Sequence, residues 1–407
     1  MMPSLTPLGD AVRDDGGILQ TGPFGTQLKQ AEYSDDGVPV IMPKDIRNGE
    51  VVTETVARVP EATADRLARH RIAENGIVLP RRGEVTKRAF IRSEEAGWLC
   101  GTGCLKIETK GNRIWPKYLY YYMGTPASVD WLEKNAVGST MLNLSAEIVS
   151  RFPIRLPSLR EQERIADILS AYDDLIETNR RRVALLEETA RLLYREWFVH
   201  FRFPGHEHVP FTDGLPEGWE RRKLGEVMET NCESYRTKEL PDEIDYIDIS
   251  SVAQGRVVSK ARMPAADAPG RARRKVRDGD VIWSNVRPNL RAYALILNPD
   301  DLDVVSTGFT VLSASSVPFT WLYMFVTTDG FVGHLINHAT GAGYPAVRPD
   351  DFERAELVLP PKSLLDFFHE ATEPSFRLIT IVDQQNRKLA EARDLLLPRL
   401  MNGEIAV

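Results

Sequence analysis

The chain repeats itself once. Its second half returns to the first at a displacement of about 203 positions in 407 residues. Gly76 meets Gly279, Arg88-Ala89-Phe90 meets Arg291-Ala292-Tyr293, and Leu119-Tyr120 meets Leu322-Tyr323. Gly138 meets Gly341, while Arg151 and Pro157 meet Arg354 and Pro360. The register returns at Leu175/Leu378, Leu186/Leu389 and Leu193/Leu396. A repeat constrains a fold more than any local signal, because each copy must build the same unit. Two copies, rather than many, imply a pseudo-two-fold molecule and not a solenoid.

Each copy reads as a mixed α/β segment of about 155 residues followed by one long helix. Strand-like runs fall at Val38–Met42, Ile77–Pro80 and Cys104–Glu108, with counterparts at Tyr246–Ile249, Val281–Ser284 and Phe309–Ser313. Asn75-Gly76 and Asp278-Gly279 supply turns before the second run of each copy. Tyr118–Met123 and Trp321–Val326 predict short buried helices. In the first long helix, Ile165, Ile168, Tyr172, Leu175, Asn179, Arg182, Leu186, Thr189 and Leu193 alternate steps of three and four. Phe368, Ala371, Ser375, Leu378, Val382, Gln385, Leu389, Ala392 and Leu396 do the same in the second. That is a coiled-coil repeat, and it predicts that the two helices pack on each other. About 40 helical residues extend about 60 Å, long enough for a spacer. Pro157-Ser158 with Glu161 forms a capping box at the first helix start, whereas Pro374 should kink the second helix or mark a late start. The chain thus divides into a mixed unit over 1–157, a long helix over 158–202, and a linker over 203–218 rich in Pro and Gly. A second mixed unit over 219–360 and a second long helix with tail over 361–407 complete an α+β architecture.

The formal net charge of −7 does not suggest a polyanion partner, but its distribution does. From Arg256 to Arg291 ten Lys/Arg stand against three Asp, and from Arg66 to Arg92 eight stand against Glu74 and Glu84. The two basic segments overlap when the copies are superposed, which favours a surface for a polyanion, and a long duplex can touch two such surfaces at once. Cys100, Cys104 and Cys232 make no CxxC pair and no even framework, as in a reducing cytoplasm. The N-terminal residues Met1-Met2-Pro3-Ser4 carry no signal pattern, and no apolar run approaches the ~20 residues of a membrane span, so a cytoplasmic chain with no membrane partner is expected.

No catalytic constellation emerges. There is no GxxxxGK loop, Gly101-Thr102-Gly103 lacks a third glycine, and no Ser/His/Asp order stands out. The acidic run Asp242, Glu243, Asp245 and Asp248 reads as a loop rather than a two-metal site. His334 and His338 lack a third ligand and read as structural, and Cys100 and Cys104 as buried thiols. The candidate site residues are instead polar and basic ones in turns. Arg81, Arg82, Lys87 and Arg88 in copy one face Asn285, Arg287, Asn289 and Arg291 in copy two; arginine reads guanine bidentately and asparagine reads adenine. The loop of Gly138 with Ser139 and Thr140, and its partner Gly341 to Tyr344, can approach a phosphate backbone closely.

The chain resembles the specificity (S) subunits of type I restriction–modification systems. The resemblance rests on Gly22-Pro23-Phe24-Gly25 with Leu28-Lys29, on the Gly138-Ser139-Thr140 loop, and on Leu156-Pro157-Ser158-Leu159 with Glu161-Gln162 leading into Ile165-Ala166. It extends to the closing run Leu395-Leu396-Leu397-Pro398-Arg399-Leu400-Met401-Asn402-Gly403-Glu404-Ile405. It implies two target-recognition domains, each reading half of a bipartite site in double-stranded DNA, separated by two antiparallel coiled-coil helices. It implies no activity and no cofactor in this chain. The partners it implies are two methyltransferase (M) subunits carrying S-adenosylmethionine and, through the complex, restriction (R) subunits using ATP and Mg. One departure stands out: Glu161-Gln162 becomes Leu364-Leu365 in copy two. The competing class is a stand-alone nuclease or methyltransferase, and a third is a coiled-coil protein without a DNA role. The missing catalytic motifs argue against the former, and the matched basic segments argue against the latter.

Overall fold

The computed structural model describes residues 5–54, 56–138, 141–236 and 239–407. They form two compact units, Met1–Thr178 with Asn386–Val407, and Asn179–Gln385. In the first, the buried apolar runs Ile77–Pro80 and Cys104–Glu108 pair antiparallel, flanked by Ile18–Thr21 and Ala89–Phe90. A smaller sheet joins Ala57–Val59, Val38–Ile41 and Leu99–Cys100. Lys106 and Glu108, both inside the main sheet, neutralise each other at 3.0 Å, and the Lys106 ammonium also donates to the Arg71 carbonyl. A charge buried this far is tolerated only when paired in this way. Helices Pro116–Tyr122, Pro126–Asn135 and Ala146–Ser150 follow, and strand Pro153–Arg155 delivers the chain to the first long helix. Tyr118, Leu119 and Phe152 pack there with Ile165 and Leu169 of the first long helix and with Leu397, Leu400 and Met401 of the second.

The second unit repeats the plan with one more strand in its main sheet and one more in its smaller sheet. Met228–Thr230, Phe309–Ala314, Val281–Ser284 and Tyr293–Leu295 take the same sheet order, and Val252–Val257 adds in parallel at the edge. Its helices Phe319–Val326, Asp329–His338 and Pro349–Glu353 answer those of the first unit at the displacement of the sequence repeat. Even the cap recurs: Thr125 accepts from the Ser128 amide and Thr328 from the Phe331 amide. The acidic run expected as a loop is largely strand Glu243–Ile247, where Arg262 forks onto Asp245 at 2.6 and 2.7 Å. The linker segment is ordered as well. Phe211–Thr212 and Leu215–Pro216 make a hairpin whose turn residues Asp213 and Gly214 both have positive φ, the backbone that a two-residue hairpin turn requires. Phe203 and Trp219 on either side of it enter the unit's core.

The first long helix spans Leu159–Tyr194 and passes into a π-turn at Arg195–Val199, and the second spans Lys362–Met401. In the first unit the start of one lies against the end of the other, and Asp173 and Arg393 pair at 2.5 Å. In the second unit Ala190, Tyr194 and Trp197 share a core with Leu365, Phe368 and Phe376, so the helices run antiparallel. The three-four spacing holds, but in the first helix the buried face takes in only part of the expected stripe. Ile165 and Asn179 of the expected stripe are buried, but Gln162, Ala166, Leu169, Ile176, Val183 and Ala190 beside it are buried too, whereas Ile168 is 36% and Leu175 47% exposed. The helix carries two apolar stripes, and packing against the mixed domains decides which residues of each face in. Pro374 neither ends nor delays its helix. It is exposed, as is Glu370, whose carbonyl its missing N–H leaves without a helical partner, so solvent can satisfy that group.

The expected capping box is formed. The Ser158 amide and hydroxyl donate to Glu161 at 3.0 and 2.7 Å, and the Glu161 amide donates back to the Ser158 hydroxyl. Gln162, 1% exposed, accepts from the Trp115 amide and donates to the Arg113 and Pro157 carbonyls. Leu365 fills the equivalent place in copy two among apolar neighbours, so the second helix enters its domain by hydrophobic contact instead of through a buried amide.

Candidate nucleic-acid interface

In the first unit, the turn after strand Ile77–Pro80 is laced to the loop that follows helix Pro126–Asn135. The Gly83 amide donates to the Leu142 carbonyl at 3.0 Å and the Leu144 amide to the Arg81 carbonyl at 2.8 Å. Arg82 bridges to Asn143, and Asn143 pairs with Val137 across the loop. The second unit repeats this lacing: the Arg287 amide donates to Pro345, the Val347 amide to Asn285, and Thr340 pairs with Ala346. Each unit therefore presents one doubly turned tip, held by its own backbone. Gly138 and Gly341 make these tips possible. Both have positive φ, and a side chain there would strike the Met141 or Tyr344 carbonyl.

The candidate residues divide by where they point. The Arg81 guanidinium stacks over Phe24 at 5.5 Å, and that of Arg287 over Tyr344 at 5.0 Å, in the two tips. Arg82 and Asn289 are exposed. Lys87 pairs with Glu84, and Arg291 with Asp329 at 2.5 Å. Asn285 is a brace: its Oδ1 accepts from the Thr310 hydroxyl at 2.6 Å and its amide donates to the Thr307 carbonyl. Ser139 and Thr140 lie outside the described residues.

Arg88 points inward. Its Nε donates to the Tyr120 carbonyl at 2.8 Å, its guanidinium lies 4.8 Å from the Tyr120 ring, and burial pushes its pKa down. Gly124 leaves it room, since a side chain there would collide with the guanidinium. Nor is Arg291 its structural equivalent. Val78 pairs with Ala89, whereas Ile282 pairs with Ala294 and Trp283 with Tyr293. The ladders therefore match Arg88 to Tyr293, which meets Tyr323 as Arg88 meets Tyr120. The short helical turn Pro288–Leu290 supplies the residues that shift the register.

Most of the basic charge seen in the sequence is spent internally. Arg66, Arg71 and Arg92 pair with Glu32, Glu61 and Glu50. Arg256, Lys260, Arg262 and Arg277 pair with Glu187, Asp303, Asp245 and Glu233. Arg81, Arg82 and Arg287, in the tips, have no carboxylate partner among the described residues, and neither do Arg69, Arg88, Arg271, Arg273 and Arg274 of the same basic segments outside them. Sequence reasoning missed the exposed apolar residues beside them: Phe24, Val137 and Met141 in the first unit, and Leu290 in the second. The available signal was a large apolar side chain in a turn, where polar residues are the rule.

The other singled-out residues are structural. The His334 ring contacts the Asp351 carbonyl and the His338 ring the His334 carbonyl, both at 2.8 Å. Burial pushes the Cys100 thiol up to about 12 and Cys104 well above its ordinary value.

Residues 22–188 match the family model of the type I restriction modification DNA specificity domain. The chain is 24% identical to the type I restriction enzyme MjaIX specificity subunit of Methanocaldococcus jannaschii, over 97% of this chain and 93% of that one. It is 20% identical to the type I restriction enzyme HindI specificity subunit of Haemophilus influenzae, over 78% of this chain and 83% of that one. Its fold is similar to the crystal structure of a type I restriction-modification S subunit from M. genitalium, with a TM-score of 0.58 and 14% identity, covering 95% of this chain and 94% of that chain.

Proposed function

We propose that this chain is a specificity subunit of a type I restriction–modification system, to whose DNA specificity domain it is similar, and that each mixed unit reads one half of a bipartite site in double-stranded DNA. The observation that carries the reading is the twin tips, where two laced turns in each unit hold out Arg81 and Arg82 or Arg287, none of them paired with a carboxylate. A laced backbone fixes the direction of a side chain, which base reading requires and a general polyanion surface does not. Arg82 and Arg287 are the proposed readers, with Arg81, Lys87, Asn289, Arg291 and the Ser139-Thr140 loop beside the phosphates. Arg88 and Asn285 act as positioning residues behind the tips.

The long helices set the spacing between half-sites and dock two M subunits. Ile168, Leu175, Leu192, Ile381 and Leu395 supply exposed apolar surface for that docking. The chain performs no chemistry itself. S-adenosylmethionine belongs to the M subunits, and ATP and Mg to R subunits recruited through the complex, in the cytoplasm.

The test uses the complex with M subunits and a duplex carrying the site mapped by methylation-sensitive long-read sequencing. Arg82→Ala is expected to relax discrimination in one half-site and Arg287→Ala in the other, each by roughly 1–3 kcal/mol at one base pair. Equal loss in both halves from either change would refute the assignment of one unit to each half.

A further inference from the structure

Met141 and Tyr344 occupy the same place in the two copies, at the crest of each tip, and are 62% and 57% exposed. The backbone holds them out. Val137 and Asn143 exchange two amide–carbonyl bonds at 2.9 Å around Met141, and Thr340 and Ala346 exchange two at 2.9 Å around Tyr344. Gly138 and Gly341 close the two crests in the same way, directly behind these side chains. A large apolar side chain on a tightly hydrogen-bonded crest cannot fold back onto its domain, so it stays in water until something covers it. Arg82 lies beside one crest and Arg287 stacks on the other, so the cover carries negative charge as well as apolar surface.

We infer that Met141 and Tyr344 are paired wedges, one per half-site, that enter between neighbouring base pairs and open the stack while the adjacent arginines hold the backbone or base edges. A duplex offers both surfaces together, since phosphates flank the apolar faces of its bases. The two wedges need not act alike. A thioether side chain can only fill the gap it opens, whereas a phenol ring can also stack on a base. Each half-site would then be read partly through how easily its base step opens.

This inference rests on the DNA-reading proposal, and one experiment separates the two. The complex with M subunits is bound to duplexes carrying 2-aminopurine at successive positions of each half-site, leaving out the adenines that become methylated. Wild-type complex should raise the fluorescence at one step in each half. Met141→Ala should abolish the rise in one half only, and Tyr344→Ala in the other. Affinity should fall about tenfold for each, with the salt dependence unchanged because no phosphate contact is lost. Tyr344→Phe should keep both the signal and the affinity. Both side chains are exposed, so these variants should assemble normally. If wild-type complex does not distinguish its site from a scrambled duplex, the DNA-reading proposal fails and takes the wedges with it. If it does, but no position brightens or both alanine variants bind and brighten as wild type does, the wedges alone are overturned.

Discussion

Arg88 donates inward to the Tyr120 carbonyl, while Arg287 lies across the Tyr344 ring on an exposed turn. Truncating Arg88 would leave a void and an unmet carbonyl, so Arg88→Ala should destabilise the first unit by roughly 2–3 kcal/mol. Its salt dependence of DNA binding should stay that of wild type. Thermal melting of the complex, alongside affinity at several salt concentrations, checks both parts. A normal melting point with a shallower salt slope would turn Arg88 outward. A second residue-scale prediction concerns acid. Arg377 forks onto Asp278 at 2.8 and 2.7 Å, and this hydrogen bonding holds the carboxyl below its usual range. A depressed folded pKa stabilises above the ordinary carboxylate range, and that contribution disappears as pH falls through the lowered value. Asp278→Asn should therefore cost stability at neutral pH and flatten the acid limb of melting temperature between about pH 5 and pH 2. The pair is partly exposed, so the effect should be modest and weaken in salt. Some of this chemistry was legible in the sequence, such as the Ser158–Glu161 box, whose spacing is local. The inward turn of Arg88 was not, because it depends on a strand register that the extra turn at Pro288–Leu290 shifts.

The long helices show the same division between what is local and what is not. Their length, caps and three-four spacing could be read directly, but the buried stripe could not. Ile168 and Leu175 satisfy the period as well as Ala166 and Leu169 do, and only contact with Phe152 and its neighbours selects the second set. Each compact unit holds one end of both helices, so lengthening one helix alone would break the pairing. Seven residues added after Thr178 together with seven after Gln385, at the unit boundaries, keep the stripes in phase. This double insertion adds about 10 Å of helix. The mapped methylation site should keep both half-sequences and gain about three base pairs of spacer at ~3.4 Å each. A site with its spacer unchanged would exclude the helices as the ruler.

For the molecule as a whole, the proposal is recognition without chemistry. The purified chain should transfer no methyl group from S-adenosylmethionine and cut no DNA, and both should be measured with M-subunit contamination excluded by mass spectrometry. Methyl transfer by the chain alone would return it to the enzyme class. The two-copy layout was plain in the sequence, because the helices after Trp115 and Pro318 keep a constant displacement. The closure of the first unit was not, since no local period announces that Leu397, Leu400 and Met401 belong with Leu8 and Phe152. That closure has a consequence for how the protein is made. The second unit is one continuous stretch, Asn179–Gln385, and can fold as soon as it clears the ribosome. The first unit, though its strands emerge earlier, must wait with an open core until Asn386–Val407 has been synthesised. Translation therefore builds the molecule out of sequence order, and a stop codon soon after Gln385 damages the unit whose strands were translated first.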